Sequence, residues 1–412
     1  MSDQIKIIML CTEPLSSKEY HDYGFCYLEK YFEIQIWVSP VNERAISKNP
    51  HKYNGSNVHQ TRYFFQIEWM IRNNDQCLFV MAENARNYYR KLMIKYHCRY
   101  FFILSIGSSC PVDSTHEIRD RNMRDRENFI DRAKRRLSGG YRWMIWAVRN
   151  KIVDGGKIIE LENSSNPPKW IFSSSVMIDG AITKYEKTQV IYVPSVDYNR
   201  YIEIKKDDEN EPVNYIDYKY ILFVDSGLGF KMRGLMPKDY TDCMYEKEYR
   251  KKHFEAIEKT FSVLEKHYGF PVVIAAHPNI DYEGYNYGGR KMVVGDNTAM
   301  LVKHSIFCVY RFTSVSMSYA ILYNKPILFL YDDISKMSWN WNYTIAPMMK
   351  ELNIKGCDMS NDCDRRKPWS CIDNIGKHER KEYFDRYIGF GKCIDKTIGE
   401  IIEEAILEEL EK

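Results

Sequence analysis

Three short groups of residues carry side chains suited to group transfer. Asp225-Ser226-Gly227 places a carboxylate two residues before a glycine. A carboxylate at the end of a strand can take a proton from a hydroxyl or attack as a nucleophile. Gly227, with Gly229 beyond it, lets backbone approach a ligand closely. His277-Pro278 comes next. The proline restricts the residue before it to extended geometry, which fixes where the imidazole points. A histidine so held can donate to a phosphate and assist its departure. The third group is Thr313-Ser314-x-Ser316, with Arg311 just before it. Hydroxyls and free amides at a helix start form an anion site. Each group also has an everyday use, in a turn, a strand end or a helix cap. Their order over three successive strand ends is what carries information.

The elements that must position them are short and apolar. Val272 to Ala276 is an apolar run that stops at His277, and Met292 to Val294 ends at Gly295. A helix start follows at Asp296-Asn297-Thr298. Ile306 to Val309 leads into Arg311 and Thr313. A small-residue helix over Ser316 to Tyr323 precedes the run Pro326 to Leu330. Apolar strands alternating with helices form β-α-β units of a parallel sheet. Ligands of such sheets sit beyond the carboxyl ends of the strands. Asp225, at the end of the run Tyr220 to Val224, shares that rim with His277 and Thr313-Ser314. Lys231 and Arg233 follow at once and are available to an anionic ligand. Glu248 to His267 is an amphipathic helix, with Phe254, Ile257, Phe261 and Leu264 on one face.

The first half begins in the same way. Ile5 to Leu10 is a buried strand, a helical segment lies around Tyr23 to Phe32, and Ile34 to Val38 is a second strand. The loop after the first strand lacks GxGxxG, so a dinucleotide fingerprint is absent. Glu13 lies in that loop and is a candidate contact. Phe64 to Arg72 and Ala82 to Tyr96 read as helices. Tyr100 to Ile106, Lys157 to Leu161, Trp170 to Val176 and Thr188 to Val193 read as strands. The charged stretch Tyr201 to Tyr215, with Pro212, reads as the interdomain linker. The division is residues 1–210 and 211–412, with terminal helices over 379–410. Residues 115–151 differ from the rest: arginines and lysines outnumber acids, and Trp143 and Trp146 follow Gly139-Gly140. Such a segment suits an anionic membrane surface or an anionic acceptor glycan, or is a solvated face beside core aromatics.

Composition sets bounds. With 412 residues, two domains are the natural expectation. A net charge of +3 favours no polyanionic partner, and no nucleic acid is expected. The eleven cysteines include no CxxC pair, which favours reduced thiols in a cytoplasm. No run approaches the ~20 apolar residues of a membrane span. The polar start Met1 to Gln4 leads straight into a strand, unlike a signal peptide. Thirty-two tyrosines suit a cleft for sugars or bases, or follow from codon usage.

Across Tyr220 to Tyr331 the chain resembles the bacterial sialyltransferases and the related Kdo transferases. Asp225-Ser226-Gly227, His277-Pro278 and Thr313-Ser314 look like their acidic-x-Gly, His-Pro and Ser/Thr motifs, in that order. The resemblance implies an α/β, GT-B-like fold: two Rossmann-like domains facing a central cleft, with a C-terminal helix packing back. It implies a metal-independent enzyme with no cofactor, using a CMP-activated ulosonic acid (Kdo, sialic, pseudaminic or legionaminic type) as donor. The acceptor would be a glycan or glycolipid in bacterial surface polysaccharide synthesis. The site would be cytoplasmic, with peripheral contact at the inner face of the plasma membrane through 115–151. By resemblance residues 1–210 would bind the acceptor and 211–412 the nucleotide sugar, and Asp225 and His277 are catalytic. Ser226, Gly227, Pro278, Arg311, Thr313, Ser314 and Ser316 would hold the donor. The first motif departs from the doubled acid of sialyltransferases, because Ser226 stands at the second position, and this leaves the ulosonic acid open. Other readings on the same fold are a glycerol- or polyol-phosphate transferase, which would want a second histidine such as His304, a nucleotide-sugar epimerase, and a non-catalytic glycan-binding domain.

Overall fold

The computed structural model describes residues 5–11, 14–38, 52–61, 64–82, 86–104, 166–174, 188–208, 216–227, 247–277, 280, 282, 284–295, 298–312, 316–337, 341–389, 391–392 and 395–411. The basic segment 115–151 and the strand expected at Lys157 to Leu161 lie outside them.

The described strands form two sheets. The first contains β1 (Lys6–Cys11), β2 (Glu33–Val38), β3 (Val58–Gln60), β4 (Leu78–Ala82), β5 (Arg99–Leu104), β6 (Trp170–Ser173) and β7 (Gln189–Tyr192). Their order is β3-β2-β1-β4-β5-β6-β7, with every pairing parallel. The second contains β8 (Ile221–Val224), β9 (Val272–Ala276), β10 (Met292–Val294), β11 (Cys308–Tyr310), β12 (Ile327–Tyr331), β13 (Cys357–Asp358) and β14 (Ile372–Asp373). Its order is β10-β9-β8-β11-β12-β13, and β14 runs antiparallel to β12. β8 and β9 are buried at every position, as two-sidedly covered parallel strands must be. One face packs against Phe254, Ile257, Phe261 and Leu264 of the helix Lys247–Tyr268. The other packs against the helices Thr298–His304 and Met317–Leu322.

Sequence and structure differ in places. The stretch Ala82 to Tyr96 is a strand end followed by a helix, Arg86–Lys95. β4 was not singled out, although Leu78 to Ala82 is a continuous apolar run like those of the other strands. Of the stretch Tyr201 to Tyr215 read as a linker, the part up to Asp208 belongs to the helix Val196–Asp208, and residues 209–215 lie outside the described residues. The helix buries Tyr198, Ile202 and Ile204 in the second core. Its charged residues occupy the other positions, and composition alone does not reveal that division.

The C-terminal helix Ile398–Leu410 follows the second domain in sequence, but its buried side joins the first core through Ile398, Ile402, Ala405 and Ile406. Each isoleucine so buried contributes roughly 1.5–3 kcal/mol. Polar contacts fix the register. Tyr27 Oη donates to Glu403 Oε2 at 2.8 Å, Lys206 Nζ to Glu400 at 2.6 Å, and the Ile398 N–H to Asn199 Oδ1 at 2.7 Å. Thr397 and Glu400 close a capping box at the helix start. The chain is thus α/β and GT-B-like, two Rossmann-like domains with the terminal helix packed back on the first.

The crossing is tight. Gly24 has φ +77°, and a Cβ there would stand 2.7 Å from the Gly399 nitrogen. Gly24→Ala should therefore lower stability by about 2–4 kcal/mol, adding left-handed strain to overpacking. The check is a lower urea midpoint at unchanged m-value. An unchanged midpoint would mean that the helix does not dock this closely.

Candidate active site at the strand ends of the second sheet

Strand order reverses around β8, which pairs with β9 on one side and β11 on the other. Ligands of open parallel sheets bind in the crevice outside such a switch point. Asp225 is the first residue past β8, and its N–H donates to Ala275 O at 3.0 Å. His277 is the first residue past β9. Two of the expected residues are therefore neighbours on one rim.

The Asp225 side chain is turned inward and is 6% exposed. Its Oδ1 accepts the Gly227 N–H at 2.9 Å, in a tight turn that needs Gly227 at φ +73°. Its Oδ2 accepts two phenols, Tyr282 Oη at 2.7 Å and Tyr287 Oη at 2.8 Å. The Tyr282 oxygen in turn accepts the His277 backbone N–H at 2.7 Å. Burial pushes the Asp225 carboxyl above the usual carboxylate range, while the hydrogen bonds from Tyr282, Gly227 and Tyr287 and the nearby His277 pull it back. Burial beside a carboxylate pushes both phenols up, so they remain donors at neutral pH. His277 is half-buried. Burial lowers its pKa and the Asp225 charge opposes that shift, which leaves a largely neutral imidazole.

The tyrosines come from the loop between β9 and β10. Arg290 anchors it: Nε and Nη2 donate to the two oxygens of Glu265 at 2.9 and 2.7 Å, and Nη1 donates to Tyr287 O at 2.7 Å. Tyr287 takes φ +49° and is followed by Gly288 and Gly289, also at positive φ. Its ring packs edge-on against Phe223, Phe254 and Tyr285. Sequence reasoning did not single out Tyr282 or Tyr287. The available signal was the spacing Tyr282, Tyr285, Tyr287 ahead of Gly288-Gly289, directly after His277-Pro278.

Arg311, expected at the donor, instead serves the core. It follows β11 but is 2% exposed, and its Nη2 donates to Asp332 Oδ2 at 2.6 Å and to Ser335 Oγ at 3.3 Å. Asp332 follows β12, the neighbouring strand, so the two charges meet across one strand spacing. Burial alone would raise the Asp332 carboxyl, but His253 and the Arg311 charge outweigh it and hold it well below its usual range. Ser316 precedes the helix Met317–Leu322. Its side chain makes no cap bond, and its carbonyl accepts Tyr310 Oη at 3.1 Å. Ser226 is half-buried between Asp225 and Gly227. Glu13, Lys231, Arg233, Pro278, Thr313 and Ser314 lie outside the described residues. His304 ends the helix before β11, at the amino ends of the strands and away from this rim. Among the described residues no cluster of three or more His, Cys, Asp or Glu side chains is placed to hold a metal ion.

No protein-family model matches the chain, and no curated protein sequence does. Solved structures do resemble it. CalG4, the calicheamicin glycosyltransferase, is 8% identical over 98% of both chains, with a TM-score of 0.49. The glycosyltransferase of kitacinnamycin is 10% identical over 99% of both, with a TM-score of 0.47. UDP-GlcNAc 2-epimerase from Neisseria meningitidis, bound to UDP-GlcNAc, is 12% identical over 98% of this chain and all of its own, with a TM-score of 0.46. At this identity the likeness is one of chain path alone.

The buried charges give a pH dependence. Burial and Arg311 push His253 down to about 4 from its ordinary 6.5. Between those values the unfolded chain binds a proton that the folded protein refuses. The stability contributed is complete above the unfolded value and is lost as pH falls toward the folded one. His253→Gln should remove up to about 1.4 kcal/mol per pH unit from the acid slope. Urea midpoints of both proteins at neutral and mildly acidic pH are the check, and identical slopes would remove His253 as the source.

Proposed function

We propose that this protein is a metal-independent glycosyltransferase that moves a ulosonic acid from a CMP-activated donor to a glycan or glycolipid acceptor in bacterial surface polysaccharide synthesis. The observation that carries this reading is the meeting of Asp225 and His277 at adjacent strand ends of the second sheet, beside its switch point, bridged by one phenol. The motif order Asp225-Ser226-Gly227, His277-Pro278, Thr313-Ser314 supplies the donor class.

The chemistry asks for two things. The bond from the sugar to phosphate breaks, and the departing CMP gains negative charge. The acceptor hydroxyl forms the new bond and loses its proton. His277 is assigned to the phosphate: its neutral imidazole donates a hydrogen bond, and a proton on it would neutralise the leaving group. Asp225 is assigned to the acceptor proton. Burial raises its pKa toward the range useful to a general base. Its Oδ1 accepts the Gly227 N–H and retains a second lone pair. The hydroxyls of Thr313, Ser314 and Ser316 are assigned to the donor phosphate, and Lys231 and Arg233 to the donor carboxylate. Arg311 acts in the fold.

The acceptor is assigned to the first domain, with Glu13 as a candidate contact. Residues 115–151 are assigned to an anionic membrane surface. No helix among the described residues is long and apolar enough to cross a membrane.

The first test is thermal. With EDTA present, CMP should raise the melting temperature while UDP, GDP and CDP do not. Saturation at a hundred times Kd corresponds to about 2.7 kcal/mol. A preference for UDP would replace this reading with the nucleotide-sugar epimerase alternative, and a CDP preference with the polyol-phosphate one.

Two variants assign the roles. Asp225→Asn should abolish transfer while CMP still binds. His277→Ala should weaken CMP binding and slow transfer together, by about 10²–10⁴-fold in rate. Near-normal turnover in the first variant, or unchanged CMP affinity in the second, would remove that residue from its role.

A further inference from the structure

Two phenols reach the same oxygen of Asp225, but their surroundings differ. Tyr287 is 1% exposed, lies in the aromatic core and has its own carbonyl held by Arg290. Tyr282 is half-buried, and its oxygen is both donor and acceptor: it gives a hydrogen bond to Asp225 Oδ2 at 2.7 Å and receives one from the His277 peptide N–H at 2.7 Å. His277 is where the chain leaves β9, beyond the last ladder pairing of that strand, Val294 with Ala276. The phenol therefore holds the His277 peptide N–H just past the end of that ladder.

We propose that Tyr282 is a positioning residue, whose phenol ties the Asp225 carboxylate to the His277 peptide and so fixes the imidazole relative to the carboxylate. A hydroxyl that donates to a charged acceptor becomes a better acceptor itself, so the carboxylate strengthens the hold on the His277 N–H. Tyr287 completes the carboxylate's partners but does not touch His277 in this chain of bonds. The two tyrosines thus have separate roles. Tyr287 keeps Asp225 in place, and Tyr282 transmits that placement to the histidine. This role rests on the reading of Asp225 and His277 as the reacting pair for its catalytic meaning. The coupling itself is measured without nucleotide, so loss of the CMP response and loss of the Tyr282 effect are separate results.

The experiment follows the His277 backbone amide by NMR in the full-length protein. In the parent protein this amide should be protected from hydrogen exchange although it lies past the strand. Tyr282→Phe should speed its exchange by about tenfold or more and shift its proton resonance upfield, while Tyr287→Phe leaves both close to parent values. Asp225→Asn should shift the same resonance in the parent background and have no further effect in Tyr282→Phe, as a shared chain of bonds requires. An unprotected His277 amide in the parent protein, which needs no variant, would overturn the proposal. So would equal effects of the two phenylalanine substitutions, or independent effects of Asp225→Asn and Tyr282→Phe.

Discussion

A carboxylate removed from water must find donors within the protein or lose its charge. Asp225 is placed almost wholly inside, and much of the second domain's rim can be traced to that one requirement. Two phenols and a glycine N–H supply the donors. The phenols need a loop that carries both to one oxygen, and the loop needs an anchor. Arg290 is that anchor, paired through two hydrogen bonds with Glu265. Glu265 also accepts the Val272 N–H at 2.9 Å, so a single carboxylate links the loop to the start of β9. The helix that carries Glu265 is in turn held against the sheet by Phe254, Ile257, Phe261 and Leu264. Hydrophobic packing, an ion pair and a turn therefore converge on the surroundings of one side chain. Asp332, at the end of β12, meets the same need with a buried positive charge, Arg311, from the end of the adjacent β11.

Much of this was legible in the residues. Short apolar runs separated by helical periods implied parallel sheets, and β9 and β10 begin and end where the runs do. Asp225 and His277 could be placed on one rim because the end of a strand is a local property. Tyr282 and Tyr287 could not, because their partner lies far earlier in the chain and only the folded loop brings them to it. Arg311 illustrates the same limit from the other side. A basic residue after a strand reads as a ligand contact. What makes it a core residue is Asp332, at the end of the adjacent strand, and adjacency of β11 and β12 is a fact of sheet order. The Val196–Asp208 helix was obscured for a different reason: its charges are conspicuous in composition, while Tyr198, Ile202 and Ile204 face the core.

The two domains share their boundary elements. The helix Val196–Asp208 contributes Tyr198 and Ile202 to the second core, and its Asn199 side chain accepts the first amide of the terminal helix. Lys206, near the end of the same helix, pairs with Glu400. His21, from the first domain, lies 3.4 Å from Glu203 on the same helix. One helix thus touches both ends of the chain and the second core, so the contacts that hold the terminal helix also bear on how the second domain is attached.

That arrangement has a consequence for how the protein is made. The first core takes Ile398, Ile402, Ala405 and Ile406 from a helix that the ribosome delivers only after nearly the whole second domain. Phe25 and Leu28 therefore gain these native neighbours only once the second sheet has been synthesised. Folding of these two domains cannot be strictly sequential: the core of the first is closed by a helix that follows the second.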